Sequence, residues 1–413
     1  MPAPIVSVEI GLDLGDKDTG AMLLDDPTRG VLDGIYYLSG NVFHDVSESI
    51  INAGTNRGKS QALDRIDAGI LNISFNNHDR LFDPLYEASP YYGALTPRRQ
   101  IRAFANGLPV YVGFIDDFDI TYEQGGRSIA TLQASDAFSV LANAKLDQTF
   151  PDVELSGARV TRILNLPEVD WDSTLRDIET GSSTMLDTTI AADTPALEYL
   201  QLVAESEFGN LFLSKDGKVT FDGRNTVPLV ADLVISDEKV AGVFTGIPFT
   251  DIQVVYGSEN LYNRVIISNS DTIPDEAISE DLDSQLYYGI RTYTKSGLLN
   301  LDPLDLANLS NFLLLSYSQP QYRFESVSVL LDDLSLTDQN KMLGLEIGDI
   351  IEVHFTPSGI APAIEQFVKV IGIGHDWRID SKVINLQLQR LDFGLFILDN
   401  AFFGVLDSDR LAY

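Results

Sequence analysis

Apolar and polar residues alternate along most of this chain, and a side-chain period of two belongs to strands with one buried face. In residues 70–75, Leu71, Ile73 and Phe75 share a face. In residues 110–122, Val110, Val112, Phe114, Phe118, Ile120 and Tyr122 read as one face, with Asp117, Asp119 and Thr121 on the other. Residues 129–134 alternate again behind the turn signal Gln124-Gly125-Gly126. Toward the C-terminus Ile351, Val353 and Phe355 oppose Glu352 and His354. Phe367, Lys369, Ile371 and Ile373 alternate, as do Ile384, Leu386 and Leu388. The expected fold class is mainly β with an α+β insert: two β-barrel or sandwich modules flanking a helix–hairpin domain.

Helical signals are confined to a few places. Residues from about 136 to 144 form a short helix closing the first module. Pro195 suits a first helical position behind Thr194 as N-cap, Leu197, Leu200, Ala204 and Phe208 share a face, and Gly209 suits the stop. Asp216-Gly217 then predicts a two-residue hairpin turn placing Phe212 opposite Phe221. A second helix is expected from Pro303 to Tyr317, capped by Asp302, with Leu306, Leu309 and Leu313 inward and Pro320 barring its continuation. The expected division is an N-terminal arm with a docking segment (1–38), a first β domain (39–150), the α+β insert (151–235), a connecting region with the helix 303–317 (236–321), a second β domain (322–393) and a C-terminal docking tail (394–413).

Both end segments carry one repeat. Leu24, Asp25, Gly30, Val31, Leu32 and Asp33 match Leu398, Asp399, Gly404, Val405, Leu406 and Asp407 without a gap. Two extended segments that each add backbone to a neighbour's sheet edge would account for it.

Composition narrows the function. The chain has 413 residues, 44% of them hydrophobic, enough for two to three domains with ordinary cores. It contains no cysteine, which excludes disulfides, thiolate metal sites and cysteine nucleophiles. No apolar run approaches the roughly 20 residues of a membrane span, and Met1-Pro2-Ala3-Pro4 begins nothing like a secretory signal. The formal net charge is −33. Proteins that bind phosphate backbones carry the opposite sign, so this charge serves solubility or a surface that a polyanion passes without sticking.

Chemistry-bearing patterns are scarce. His44, His78, His354 and His375 show no metal-ligand spacing; His354 reads as a strand's polar face and His375 as part of a turn beside Asp376 and Trp377. There is no nucleophile elbow, and Asn56-Arg57-Gly58-Lys59-Ser60 lacks the glycine a phosphate loop needs. Asp116, Asp117 and Asp119, like Asp332 and Asp333, lack calcium-loop spacing and read as solvated faces. No catalytic, cofactor-binding or metal-binding residues are expected. Arg98, Arg99 and Arg102 form the one basic patch and suit a carboxylate of a neighbouring subunit.

A longer pattern remains. Arg57-Gly58-Lys59-Ser60-Gln61-Ala62-Leu63-Asp64-Arg65-Ile66-Asp67-Ala68-Gly69, then Leu71-Asn72-Ile73-Ser74-Phe75-Asn76-Asn77, Asp79-Arg80-Leu81-Phe82-Asp83-Pro84, Ser89-Pro90-Tyr91-Tyr92-Gly93 and Pro97-Arg98-Arg99, resembles minor tail proteins of long-tailed bacteriophages, the tail-tip or baseplate hub family. Val112-Gly113-Phe114-Ile115-Asp116, the helix–hairpin from Ala196 to Phe221, and Leu345-Glu346-Ile347-Gly348-Asp349-Ile350 follow in the order of that family. The resemblance spans about residues 55–391. It implies a non-enzymatic structural hub at the distal end of the tail in the virion, with two tail-tube-like β modules per chain. It further implies a homotrimer whose six modules form a ring continuing the tail tube, with an acidic channel for DNA ejection. Implied neighbours are a distal tail ring protein, the tape-measure protein, and tip-fibre or receptor-binding proteins serving host attachment. A hexameric distal ring protein is the nearest alternative. From other classes the alternatives are a tail-associated cell-wall hydrolase, supported only by abundant carboxylates, and a receptor-binding module with a carbohydrate cleft. Larger members carry C-terminal hydrolases, so with the chain stopping at Tyr413 any such enzyme is expected from another gene product.

Overall fold

The computed structural model describes residues 2–12, 27, 42–224, 231–271 and 273–391. The first β region contains β1 (Val6–Leu12), β2 (Val42–Asp45), β3 (Ile50–Gly58), β4 (Asp67–Asn76), β5 (Gln100–Ala105), β6 (Leu108–Tyr122), β7 (Ser128–Ser135) and α1 (Phe138–Asn143). The insert follows with α2 (Ser156–Leu164), α3 (Ala196–Glu207) and the hairpin β8 (Asn210–Leu213) and β9 (Val219–Asp222). Next come β10 (Leu233–Ser236), β11 (Asp251–Tyr256), β12 (Arg264–Asn269), β13 (Glu276–Glu280), α4 (Leu282–Tyr288), β14 (Thr292–Leu298) and α5 (Pro303–Tyr317). The last β region holds β15 (Tyr322–Leu330), α6 (Leu336–Gly344), β16 (Ile350–Phe355), β17 (Ile364–Arg378) and β18 (Lys382–Arg390).

The fold is mainly β. Thirteen strands form one sheet in the order β11-β15-β18-β17-β3-β4-β7-β6-β5-β1-β2, with β16 beside β17 and β10 beside β16. Sequence-distant halves are thus hydrogen-bonded into one sheet. Its packed face carries Leu71, Ile73, Phe75, Leu132, Val327, Ile351, Val353, Ile384 and Leu386, all at most 1% exposed. The second core lies between α5 and the sheet β13-β12-β14, around Val265, Ile267, Leu306, Leu309 and Leu313.

Several sequence readings are corrected by the backbone. The alternation in β6 slips at Asp116, where a bulge separates Ile115 from Asp117 in the pairing with β7. The faces exchange there: Tyr111 and Ile115 are fully buried, whereas Val112 and Phe114 are half-buried. The β8–β9 hairpin pairs Leu211, not Phe212, with Phe221. Ser214 is responsible: its backbone N–H bonds the Lys218 carbonyl at 2.9 Å and its hydroxyl takes the Lys218 N–H at 3.0 Å. The connection is therefore three residues, Lys215 to Gly217, with Gly217 at φ +87°. Pro195 is the N-cap of α3 rather than its first helical residue, and Phe208, not Gly209, takes the left-handed C-cap at φ +58°. His375 sits inside β17 rather than in a turn; it is buried, with Nδ1 2.8 Å from Thr55 Oγ1.

The α5 expectation agrees in detail. Pro303 starts the helix, Asp302 accepts the Leu304 N–H at 2.9 Å, and Leu306, Leu309 and Leu313 face inward.

Candidate assembly interface

One pairing scheme occurs twice. β3 pairs β4, β4 pairs β7, β7 pairs β6 and β6 pairs β5, all antiparallel. β11 pairs β15, β15 pairs β18, β18 pairs β17 and β17 pairs β16 in the same way. Two corresponding pairs match in length: β5 and β16 have six residues, β6 and β17 have 15. The bulges correspond too, skipping Asp116 in β6 and Ile371 in β17. The chain therefore holds two copies of one five-strand unit.

The long strand of the second unit overshoots its short neighbour. Its first half pairs β16, and its second half pairs β3, the first strand of the other unit, from Gly372 opposite Gly58 to Arg378 opposite Asn52. This joint is closely built. A Cβ on Gly58 would lie 2.3 Å from the Ile371 carbonyl oxygen, and Gly58 has φ +95°. Beside it the buried Arg57 donates through Nη1 to Glu346 Oε1 at 2.9 Å and to the Leu213 carbonyl at 3.0 Å. The Lys215 N–H donates to Glu346 Oε2 at 2.8 Å, so the insert's hairpin is bound to the same carboxylate. Lys59 donates to the Ala62 carbonyl at 2.8 Å, and burial, with Lys369 nearby, lowers its amine to about 8. Arg57, Gly58 and Lys59, the middle of the stretch Asn56 to Ser60, are thus absorbed in structure. Burial, with Arg57 and Lys215 close, pushes the His375 ring down to about 3 and keeps it neutral.

Asp222, at the end of β9, is raised by burial to about 6, with Lys369 opposing the rise and Glu179 adding to it. A carboxyl raised in the folded state contributes stability below its unfolded value near 3.9, and this is lost as pH rises through about 6. Asp222→Asn, neutral throughout, should be more stable than the parent above pH ~6.5 and indistinguishable from it near pH 4. Thermal melts across that range check this.

Among the described residues, the equivalent surfaces at the opposite ends of the two units carry no strand. Residues 117–122 of β6, beyond the reach of β5, correspond to the stretch of β17 that binds β3, and β11, which corresponds to β3, pairs β15 alone. Unpaired strand edges are templates for another chain. These two are complementary by the molecule's own precedent.

The open face of the sheet is also unusual. Asn52, Asn56, Asn72, Thr131 and Gln133 are exposed on it, and Gly54 and Ser74 continue its rows. Asn385 and Gln387 of β18 stand opposite Ser328 and Ser326 and extend the surface. Asn and Gly are depleted in ordinary strands, so local propensity is sacrificed here for a surface of small, mostly polar residues, interrupted by exposed Ile70 and ending on β17 in the Asp376–Arg378 ion pair opposite Gly54 and Asn52. The exposed Asp117 and Asp119 sit at its margin, opposite Gln133 and Thr131.

The basic patch is only loosely assembled. Arg98 is exposed, 3.8 Å from Asp116 and stacked 5.5 Å from the Phe114 ring; Arg99 Nε donates to Thr96 at 3.1 Å; Arg102 lies 3.6 Å over the Phe43 ring. The repeated residues Leu24, Asp25, Gly30, Val31, Leu32 and Asp33, and Leu398, Asp399, Gly404, Val405, Leu406 and Asp407, lie outside the described residues. The joint and the two edges were missed by sequence reading, although each long strand breaks its alternation at the bulge, and that shared irregularity is the signal that pairs them.

Among solved structures, the chain is similar to the tail protein from Neisseria meningitidis MC58, with a TM-score of 0.59 and 12% identity, over 94% of this chain and 97% of that one. It is similar also to the 43 kDa tail protein of prophage MuSo2 from Shewanella oneidensis, with a TM-score of 0.57 and 12% identity, over 94% and 98%. At such identity the shared property is the fold, and the fold is that of tail proteins, in agreement with the resemblance carried by the sequence. No protein-family model and no curated protein matches the chain.

Proposed function

We propose that this protein is a structural hub of a phage tail tip. Copies join edge to edge into a ring that continues the tail tube and links it to the parts that meet the host. The observation that carries this is the joint between β17 and β3 together with the two equivalent edges that no strand covers among the described residues. Repeating that joint between chains lays residues 117–122 of one copy along β11 of the next, a head-to-tail contact that closes into a ring when the rotation allows. Three chains supply six units, the count that suits a sixfold tube. The division into two tube-like domains, an insert and terminal docking segments is part of the same proposal, as are the distal ring, tape-measure and tip-fibre neighbours.

The open amide face supports a passage. With the packed face committed to the core, this is the sheet surface left for a lumen. Its mostly neutral rows, bordered by Asp117 and Asp119 on one side and on the other by an arginine, Arg378, already paired with Asp376, lie in a chain of net charge −33 and present little for a polyanion to grip. At physiological salt such repulsion acts within about 8 Å, so it serves a narrow channel best.

The register of the contact follows from the bulges. Asp117 corresponds to Gly372 and Thr121 to Asp376; Gln253 corresponds to Gly54. Asp376 stands opposite Gly54, so Thr121 of one copy stands opposite Gln253 of the next. The chain has no cysteine of its own, which makes the test clean. The double variant Thr121→Cys, Gln253→Cys should oxidise to a covalent species ending at three chains on a non-reducing gel, while either single variant stays monomeric under denaturing conditions. A double variant that forms no interchain disulfide overturns this interface, and a ladder without an end overturns the closed ring.

A further inference from the structure

We propose that Glu238, His354 and Glu365 bind a divalent first-row cation of the zinc type, with Glu352 orienting the imidazole; the proposal stands independently of the assembly reading. Strand geometry brings these groups together from three segments. Glu352 and His354 are two apart on β16 and share a face. Glu365 of β17 is directly opposite His354. β10 runs parallel to β16 with Ser236 opposite His354, and the chain carries Glu238 over the ring two residues later, where the Glu238 N–H bonds Ser236 Oγ at 3.0 Å.

One ligand atom from each of Glu238, His354 and Glu365 lies within 4.8 Å of the others. Nδ1 is 3.6 Å from Glu238 Oε2, close to the edge of about 3.3–3.6 Å of a tetrahedron with zinc bonds of ~2.0–2.2 Å. Nε2 is 2.9 Å from Glu352 Oε1, the arrangement in which a carboxylate fixes the ring of a metal-bound histidine.

A second observation points the same way. Nδ1 of His354 is shielded from solvent and has no hydrogen-bond partner, whereas the equally shielded Nε2 faces Glu352 at 2.9 Å. Buried polar atoms without partners call for an occupant such as an ion. Among the described residues, no lysine or arginine forms a salt bridge with Glu238, Glu352 or Glu365; the His354 ring stands beside Glu238 and Glu352. Oxygen ligands alone would suit calcium or magnesium, but the imidazole shifts the preference to zinc and its neighbours in the series. The cation would tie the segment after β10 to β16 and β17 at one end of the second unit.

The test is calorimetric titration of Zn²⁺ into the chelator-treated full chain at pH 7.5, with apo melting temperatures confirming that each variant folds. One Zn²⁺ per chain is expected. His354→Gln should weaken binding at least ~100-fold, and Glu352→Gln, which removes only the orienting carboxylate, by ~10–100-fold. His44→Gln should bind as the parent does. Affinity should fall as pH drops from 7.5 to 6, since the proton and the metal compete for the ring. No uptake, or uptake that His354→Gln leaves unchanged, overturns the site.

Discussion

Gly58→Val is expected to lower stability by about 4 kcal/mol, combining strain at a positive φ forbidden to β-branched residues with overpacking against a carbonyl. The cause is local and geometric. Gly58 ends β3 where it meets β17, its φ is +95°, and a Cβ there would overlap the Ile371 carbonyl and stand 2.6 Å from the Gly372 Cα. Backbone faces it on that side, so no flexible side chain can move aside. The Lys59 N–H, which bonds the Ile371 carbonyl at 2.8 Å, would be displaced as well. A loss of this size is a large share of the 5–15 kcal/mol typical of a folded domain. It should appear as a lower urea midpoint, with Gly257→Ala, which meets nothing within 4 Å, unchanged. Because the same joint is proposed to recur between chains, Gly58→Val also separates fold from assembly: the open edges 117–122 and β11 are untouched by it. A midpoint equal to the parent's would show that the joint is looser than described.

Arg159→Ala should cost about 3–5 kcal/mol, the scale for removing one member of a buried charged network. The side chain is fully buried in α2 and makes four hydrogen bonds: Nε to Glu154 Oε1 at 2.7 Å, Nη1 to the Tyr199 hydroxyl at 2.7 Å, and Nη2 to the Asp152 and Leu186 carbonyls at 2.7 and 2.8 Å. Arg162 also holds Glu154, so that carboxylate keeps a partner. The Tyr199 hydroxyl and the two carbonyls do not gain one, and their desolvation is the larger part of the loss. Arg159→Lys should recover little, since one ammonium cannot span four acceptors that a planar fork reaches. Chemical denaturation with a probe in the insert, such as Trp171 fluorescence, measures this. If Arg159→Ala melts with the parent, the network is not bearing on stability.

How far the fold was legible can be judged from individual strands. Leu71, Ile73 and Phe75 were assigned to one face and are fully buried, because a strand's period of two depends on nothing beyond its own residues. The α5 helix was legible from its cap, its proline and its apolar spacing for the same reason. In β6 the expected faces hold beyond Asp116, where Phe118 and Ile120 pack inward, and fail before it, because a bulge is set by the partner strand as much as by the strand that carries it. His375 looked like a turn residue beside Asp376; its burial follows from Thr55, some 320 positions away.

The composition and alternation of this chain, by themselves, determined a cysteine-free, strongly acidic, mainly β protein with a helix–hairpin insert, since each of those properties is local or additive. Only the tertiary structure decided that two distant regions are copies of one five-strand unit, that β17 closes on β3, and that the matching edges at residues 117–122 and β11 pair with no further strand among the described residues. It alone gathered Glu238, His354 and Glu365 from three segments. Strand pairing is a relation between backbones remote in sequence, and its hydrogen bonds depend on which neighbours the whole fold brings alongside rather than on the side chains of either strand alone.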